Sequence, residues 1–160
     1  MKSNDNRGFN GSQDERQKME RRRFHRVPVL RDLAELVDLR LPELHGNTQI
    51  PGILVNLSGG GMGIITFVPV PLETEIKLVL DIPSVFDKIR IEGTVVRSIE
   101  KQGSFLIGVK FTKVPDKAVK MMKHMGEDYM DCETKLSFGV TDVCLRACSY
   151  HPLCTKKVKI

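Results

Sequence analysis

The sequence has no tryptophan, only two tyrosines and no long apolar run. Aromatic residues are 6% of the 160-residue chain, so few side chains are available to stack on the bases of a nucleic acid. The longest apolar stretch, 64–72, is interrupted by Pro69 and Pro71 and is shorter than the roughly 18–20 residues that cross a bilayer. The first ten residues are polar, unlike a secretory signal. We therefore expect a cytoplasmic protein without a membrane span.

The residue groupings that mark common enzymes are also missing. The sequence contains no serine–histidine–aspartate arrangement, no pair of carboxylates at catalytic spacing and no Walker-type phosphate loop. The acids Asp81, Asp87 and Glu92 fall on predicted strand faces or in loops. We therefore expect a protein that binds a ligand and is not an enzyme.

The net charge of +5 lies entirely in the first part of the chain. Residues 1–31 contain nine Lys or Arg and four Asp or Glu, whereas the other 129 residues contain equal numbers of each sign. Residues 1–18 lack apolar periodicity, which predicts a disordered arm. A short arginine-rich segment on a neutral body suits a small anionic ligand at least as well as a long nucleic acid.

The pattern after residue 32 predicts an all-β domain followed by one helix. Six short segments are rich in β-branched residues and bounded by turn residues: 33–41, 48–57, 63–68, 73–82, 88–99 and 104–111. Because no helix separates them, they favour antiparallel pairing in a barrel or sandwich. Pro115 and Asp116 mark the start of a helix whose apolar stripe would cover the barrel mouth. We place the arm at 1–18, the domain at 19–130 and a cysteine-containing extension at 131–160.

Two local motifs carry the chemistry. The first contains an R-x-x-x-R unit from Arg22 to Arg26, and arginine grips phosphate oxygens and guanine edges with a planar fork of donors. The second is N-x-S-x-x-G from Asn56 to Gly61, where glycines permit positive φ and a close approach of the backbone to a ligand. The amide of Asn56 and the hydroxyl of Ser58 suit the polar edge of a base or a phosphate oxygen.

In sequence, E-R-R-R-F-x-R-V-P-V followed by N-x-S-x-G-G-M-G resembles the PilZ domain, the bacterial receptor module for cyclic di-GMP. The resemblance covers about residues 20–125. It implies a six-stranded antiparallel β-barrel with a C-terminal α-helix and a flexible N-terminal arm. It also implies a second-messenger receptor that clamps cyclic di-GMP between the arm and a barrel loop. The residues expected to bind the ligand are Arg21, Arg22, Arg26, Asn56, Ser58, Gly60 and Gly61.

Three details of the implied mechanism concern individual residues and partners. Asp is commoner than Asn at the position of Asn56, so we expect recognition with one fewer charge-assisted hydrogen bond. Arg21 could stack on a second guanine and favour an intercalated dimer of the ligand. Docking of the arm would change the surface offered to an unidentified downstream protein.

A different interpretation is a single-stranded nucleic-acid-binding protein, in which a small barrel carries a basic arm. The neutral body and the scarcity of aromatic residues disfavour it. A polyanion-binding protein would lose affinity steeply with added salt, which separates the two interpretations.

The extension contains all four cysteines of the chain: Cys132, Cys144, Cys148 and Cys154. Four thiolates, with His151 nearby, could bind zinc or an iron–sulfur cluster. The spacing differs from the usual C-x2-C knuckle, and we prefer the interpretation that reduced thiols pack the extension against the barrel. Redox sensing or disulfide formation is a further alternative.

Overall fold

A computed structural model of the protein describes residues 24–29, 35–42, 48–82 and 85–154. The arm predicted at 1–18 therefore lies outside the described residues. Within these ranges, seven β-strands precede one long α-helix and a 3-10 turn at His151–Leu153. The strands are β1 (Val27–Pro28), β2 (Glu35–Leu41), β3 (Thr48–Ser58), β4 (Gly61–Thr66), β5 (Glu75–Ile82), β6 (Phe86–Lys101) and β7 (Ser104–Lys113).

Six of the strands form a closed antiparallel barrel, which confirms the predicted fold class. Its neighbours run β3, β2, β5, β6, β7 and β4, and the pairing of β3 with β4 closes the ring. The short β1, which the sequence did not predict, lies outside the ring and pairs Val27 with Leu57 of β3. Because β2 pairs with β3 only as far as Leu54, β1 occupies the edge of β3 that β2 leaves.

The barrel interior is filled by aliphatic side chains from alternate positions of the strands. In β5 exposed and buried residues alternate strictly along all eight residues, as expected of a strand with one face in the core. Leu39, Leu57, Ile64, Val95 and Ile107 are completely buried. Burial of a side chain of this size contributes about 1.5–3 kcal/mol, so these residues provide much of the driving force for barrel formation.

The observed strands lie close to the predicted segments, with differences at their ends. The third segment begins at Gly61 and not at Gly63, because Gly61 already pairs with Ser58. The loop predicted at 100–103 shortens to a two-residue turn at Gln102 and Gly103, with φ of 51° and 78°. Two consecutive positive φ values are typical of the tight turn that best fits the twist of a β-hairpin.

The long helix of the described residues, α1 (Asp116–Ser137), begins where predicted and buries Ala118, Met122 and Met125 against the barrel. It packs on β3 and β1. The helix continues seven residues past Met130, so the boundary proposed at residue 130 falls inside it. Gly139, at φ 80°, ends it by donating to the carbonyl of Leu136, a left-handed helix stop. Within the described ranges, no helix has the length and apolar character to cross a bilayer.

Candidate ligand-binding site

The turn between β3 and β4 is organised by the hydroxyl of Ser58. Its Oγ accepts hydrogen bonds from the backbone N–H groups of Gly60 (3.3 Å) and Gly61 (3.2 Å). It donates to the carbonyl of Gly61 at 3.1 Å. The carbonyl of Gly60 accepts the N–H of Phe111 in β7 at 3.0 Å, which ties the turn to the barrel. In this structure Ser58 is buried and shapes the turn.

The glycines of this turn are required by close packing and not by backbone conformation. Among the described glycines, only Gly103 and Gly139 adopt positive φ, so the expected left-handed backbone is absent from the turn. A Cβ on Gly59 would lie 2.9 Å from the ring of Phe24, and a Cβ on Gly60 would lie 3.0 Å from it. The ring of Phe24 therefore lies directly on the turn and fixes the chain before β1 to the barrel.

Next to the turn, two further glycines create a shallow trough on the outer surface of the barrel. Asn56, Gly63, Gly108 and Arg97 stand side by side across β3, β4, β7 and β6. The adjacent row along the same four strands consists of buried core residues. Because successive side chains point to opposite faces, the first row faces outward. The two central positions have no side chain. The Asn56 amide lies over Gly63, which is buried, so the partly exposed backbone at Gly108 forms the open floor between Asn56 and Arg97.

Asn56 has an unsatisfied polar atom at this trough. Its Oδ1 is buried and, among the described residues, is the buried side-chain polar atom without a hydrogen-bond partner. An unpaired buried acceptor costs about 1–3 kcal/mol, so a donor supplied from outside would recover free energy. The amide is held in place by its neighbour, since a Cβ on Gly63 would lie 2.6 Å from Asn56 Nδ2.

The trough and the turn form one open cavity of about 440 Å³. Five of the seven residues predicted to bind the ligand line it: Arg26, Asn56, Ser58, Gly60 and Gly61. The other two, Arg21 and Arg22, lie outside the described residues. The two motifs, separated by 29 residues between Arg26 and Asn56, thus meet at a single surface because β1 pairs with the end of β3.

The electrostatic character of this cavity is positive. Its described lining contains three cations, Arg26, Arg97 and Lys110, and no acidic residue. The last two were missed by the sequence analysis. Strand alternation could have placed each on an outer face, but only the pairing register of β6, β7 and β4 brings Arg97 beside Gly108 and Lys110 beside Gly61. The arrangement suits a planar ligand that carries negative charge, since backbone floor and cations lie together.

A larger groove of about 600 Å³ lies over β2, β5 and β6 and has a different character. Its lining combines the acids Asp38 and Glu92 with three cations, and Lys77 Nζ lies 3.8 Å from Glu92 Oε1. The charges there largely neutralise one another, so the groove is less suited to a doubly charged anion than the 440 Å³ cavity.

The C-terminal part of the chain contacts β1 and the residues just before it. A Cβ on Gly126 of α1 would lie 3.1 Å from the Cβ of His25, so the helix and the arm are in close contact. The hydroxyl of Tyr150 donates to the carbonyl of Pro28 in β1 at 2.6 Å. Burial raises the pKa of Tyr150 well above its ordinary value, which keeps this donor protonated. Both contacts hold β1 and the neighbouring His25 against the barrel.

The four cysteines proposed as metal ligands all lie within the described residues and are partly buried thiols, not disulfides. Across the described ranges, no group of three or more His, Cys, Asp or Glu residues is arranged to hold a metal ion. Burial raises the pKa of the Cys148 thiol, with a smaller contribution from the nearby carboxylate of Asp128. A raised pKa keeps this thiol protonated at neutral pH and lowers its reactivity as a nucleophile.

A small closed barrel with a cationic outer cavity, lined by Phe24 and Arg26 just before β1, has the form of a ligand-binding module. The family model of the PilZ domain matches residues 20–125, and the chain belongs to that family. A search of curated protein sequences found no match to the chain.

Two solved structures resemble the fold at low sequence identity. The Bacillus subtilis inhibitor of motility, MotI/DgrA, aligns with a TM-score of 0.54 and 15% identity, over 69% of this chain and 51% of that protein. The PilZ domain of Escherichia coli YcgR with c-di-GMP aligns with a TM-score of 0.51 and 13% identity, over 76% of this chain and 99% of the domain. The chain thus spans about half of MotI/DgrA and nearly all of the isolated YcgR domain.

Proposed function

We propose that the protein is a non-enzymatic receptor for cyclic di-GMP, which it binds in the 440 Å³ cavity beside the β3–β4 turn. The observation that supports this most strongly is the convergence of Arg26, Asn56 and the glycine turn on one cationic surface. The family membership and the c-di-GMP in the YcgR domain point the same way. The three described cations offset the two phosphate charges of the ligand.

We propose that Asn56 binds the hydrogen-bonding edge of a guanine base. The unpaired Oδ1 can accept a hydrogen bond from an N–H of the base, which recovers the cost of its burial. The absence of a side chain at Gly108 leaves room for a flat ring beside the Asn56 amide, and Arg97 at the far side can stack on it or bind a phosphate. Ser58 contributes through the turn that it stabilises.

The arm is proposed to complete the site with Arg21, Arg22 and Arg26. Phe24 lies against Gly59 and Gly60, which places the chain just after Arg21 and Arg22 beside the cavity. Neutralisation of clustered arginines by a bound dianion favours the docked arm. A downstream protein would bind the surface formed by the docked arm, and this binding would transmit the signal.

Isothermal titration of the full chain with cyclic di-GMP tests the proposal. We expect saturable binding that Arg26→Ala weakens by about 1.5–3 kcal/mol, or roughly 10- to 150-fold, because a charged hydrogen-bond donor is lost. Arg22→Ala should have an effect at least as large. Arg40→Ala removes an exposed arginine from the larger groove and should leave the isotherm unchanged. Equal losses at Arg26 and Arg40, or no heat with the wild type, would contradict the proposal.

Two further titrations test the nucleic-acid interpretation and the role of Arg21. A single-stranded RNA oligonucleotide, titrated at two salt concentrations, should bind weakly and lose affinity steeply with salt, whereas cyclic di-GMP should not. Tighter binding of the RNA than of cyclic di-GMP would favour the nucleic-acid interpretation. If the ligand binds as an intercalated dimer, Arg21→Ala should change the stoichiometry of the isotherm, and an unchanged stoichiometry would count against a role for Arg21.

A further inference from the structure

The short strand β1 connects two residues of the candidate ligand site. Pro28 of β1 is the cross-strand partner of Asn56, and Arg26 lies just before the strand. Asn56 and Arg26 both line the 440 Å³ cavity. The position of β1 on β3 therefore sets where the guanidinium of Arg26 lies relative to the amide of Asn56.

The strand β1 has little pairing of its own to hold it in this position. It is two residues long, and Pro28 has no N–H to donate to β3. The backbone N–H of Val29 donates to the carbonyl of Val55 at 3.0 Å, and the side chain of Val27 is buried in the core. A strand this short gains few hydrogen bonds from its neighbour, so its placement depends on contacts with other parts of the chain.

One of these contacts comes from residues 148–154, which we call the C-terminal segment. The hydroxyl of Tyr150 donates to the carbonyl of Pro28 at 2.6 Å, and the side chain of Tyr150 is only 3% exposed. Because protein interiors are closely packed, the buried ring has little freedom to follow β1 if the strand moves. Tyr150 therefore holds β1 at the residue that pairs with Asn56.

The C-terminal segment is attached in turn to α1. The carboxylate of Asp128 accepts hydrogen bonds from the backbone N–H and the hydroxyl of Ser149, each at 2.6 Å. Hydrogen bonds to a charged carboxylate are stronger than those between neutral groups. Leu153 is buried in the core and secures the other end of the segment. All of these residues lie after residue 125, where the match to the family model ends.

We propose that Tyr150 is a positioning residue for the ligand site and that the C-terminal segment and the ligand stabilise each other through β1. This inference rests on the proposed binding of cyclic di-GMP. A ligand that contacts Arg26 and Asn56 favours the position of β1 in which Pro28 accepts the hydrogen bond from Tyr150. Because coupling between two sites is reciprocal, loosening of the segment lowers ligand affinity, and the bound ligand slows opening of the segment.

Calorimetry of the full chain with cyclic di-GMP measures the effect of the segment on affinity. Tyr150→Phe removes only the hydroxyl and should weaken binding by about two- to tenfold, the factor that corresponds to one lost hydrogen bond. Ile82→Val is the matched control, because it removes a methyl group from the core of β5 and lowers stability to a similar extent. Ile82 does not line the cavity, so this variant should bind normally.

A double-mutant cycle separates positioning of Arg26 from a general loss of stability. Tyr150→Phe should cost less affinity in the Arg26→Ala background, because one of the groups that Tyr150 positions is already absent. Equal affinity losses in Tyr150→Phe and Ile82→Val, or strictly additive losses in the cycle, would overturn the assignment.

Hydrogen exchange of the full chain, with and without saturating cyclic di-GMP, tests the reciprocal effect. The backbone N–H groups of His151, Leu153 and Cys154 are hydrogen-bonded within the segment, so their exchange reports its opening. We expect the ligand to slow this exchange by about two- to tenfold in the wild type and less in Tyr150→Phe. Absence of binding heat would contradict the proposed function, whereas binding that leaves exchange of the segment unchanged, or slows it equally in both proteins, would overturn only the coupling.

Discussion

The side-chain amide of Asn56 lies directly over Gly63 of the neighbouring strand, where a Cβ would come within 2.6 Å of Nδ2. The two residues are cross-strand partners in β3 and β4. Glycine at position 63 is therefore the reason that the amide can lie flat along the floor of the trough. The position of the one unpaired buried oxygen in the described structure depends on this pair.

Gly63→Ala should weaken cyclic di-GMP binding by about tenfold while the barrel remains folded. The added methyl group displaces the Asn56 amide from the floor, which removes one hydrogen bond to a charged or polar ligand group, worth about 1.5 kcal/mol. A double-mutant cycle with Asn56→Ala isolates the effect, since Gly63→Ala should cost little further once the amide is gone. Strictly additive losses in calorimetry would show that Gly63 acts independently of Asn56.

Phe24→Ala should weaken ligand binding and leave the stability of the barrel nearly unchanged. The ring of Phe24 lies on Gly59 and Gly60, so its removal releases the arm that carries the arginines. We expect an affinity loss of several-fold, with partial recovery in Phe24→Leu. Phe67→Ala is the control, because Phe67 is 61% exposed and lies in the loop after β4, away from the cavity. Equal behaviour of the two alanine variants would contradict the role of the ring.

Arg97→Ala should reduce affinity for cyclic di-GMP and also reduce its dependence on salt. Arg97 lies at the edge of the trough opposite Gly108 and supplies one of its three described cations. Loss of one phosphate contact is expected to cost about 1.5–3 kcal/mol. Arg90→Ala removes an exposed arginine of the same strand that lines the other groove, and it should bind normally. Titrations of both variants with cyclic di-GMP at low and high salt measure the affinity and its salt dependence. Equal affinities of the two variants would contradict the role of Arg97.

Tyr150→Phe should destabilise the protein by about 0.5–1.5 kcal/mol, because the hydrogen bond to the carbonyl of Pro28 is lost. It should also flatten the alkaline side of the stability curve. The folded protein raises the pKa of Tyr150 above the ordinary value of about 10. The unfolded chain therefore loses this proton first as the pH increases, and the contribution of Tyr150 to stability is complete below about pH 10 and declines above it.

Denaturant unfolding at neutral pH and near pH 10.5 measures both effects of Tyr150→Phe. Tyr129→Phe is the matched control, since it keeps an aromatic ring beside Tyr150 and leaves the bond to Pro28 in place. If the wild type and Tyr150→Phe lose the same stability over this pH interval, the buried hydroxyl is not the titrating group.

Most of the fold was predictable because the strands and turns are marked by local sequence patterns. Regular alternation in β5 and the glycine of the Gln102–Gly103 turn are local features that fix strand and hairpin without knowledge of the rest. The two-residue β1 has no such signal. Val27 and Pro28 are extended because they fill the edge of β3, which is a tertiary effect. The last seven residues of α1 were missed because the helix has no buried residue after Gly126.

The candidate site was predictable only where its residues form a contiguous motif. Arg26 and the residues from Asn56 to Gly61 lie in two short patterns of sequence, and both reach the cavity. Arg97 and Lys110 lie on two other strands, and their approach depends on the bulges and register of β6 and β7. The packing role of Gly59 and Gly60 could not be predicted either, because their contact with the Phe24 ring exists only in the folded chain.

The match to the family ends at residue 125, near the middle of α1, whereas contacts that steady the first strand come from beyond it. Gly126 packs against His25, and Tyr150 reaches back across 122 positions to Pro28. The residues that contact β1 and its flanking chain therefore extend beyond the part of the chain that the family model matches. A shortened protein trimmed at residue 125 would lose both attachments, so any minimal version made for titration has to extend through residue 154.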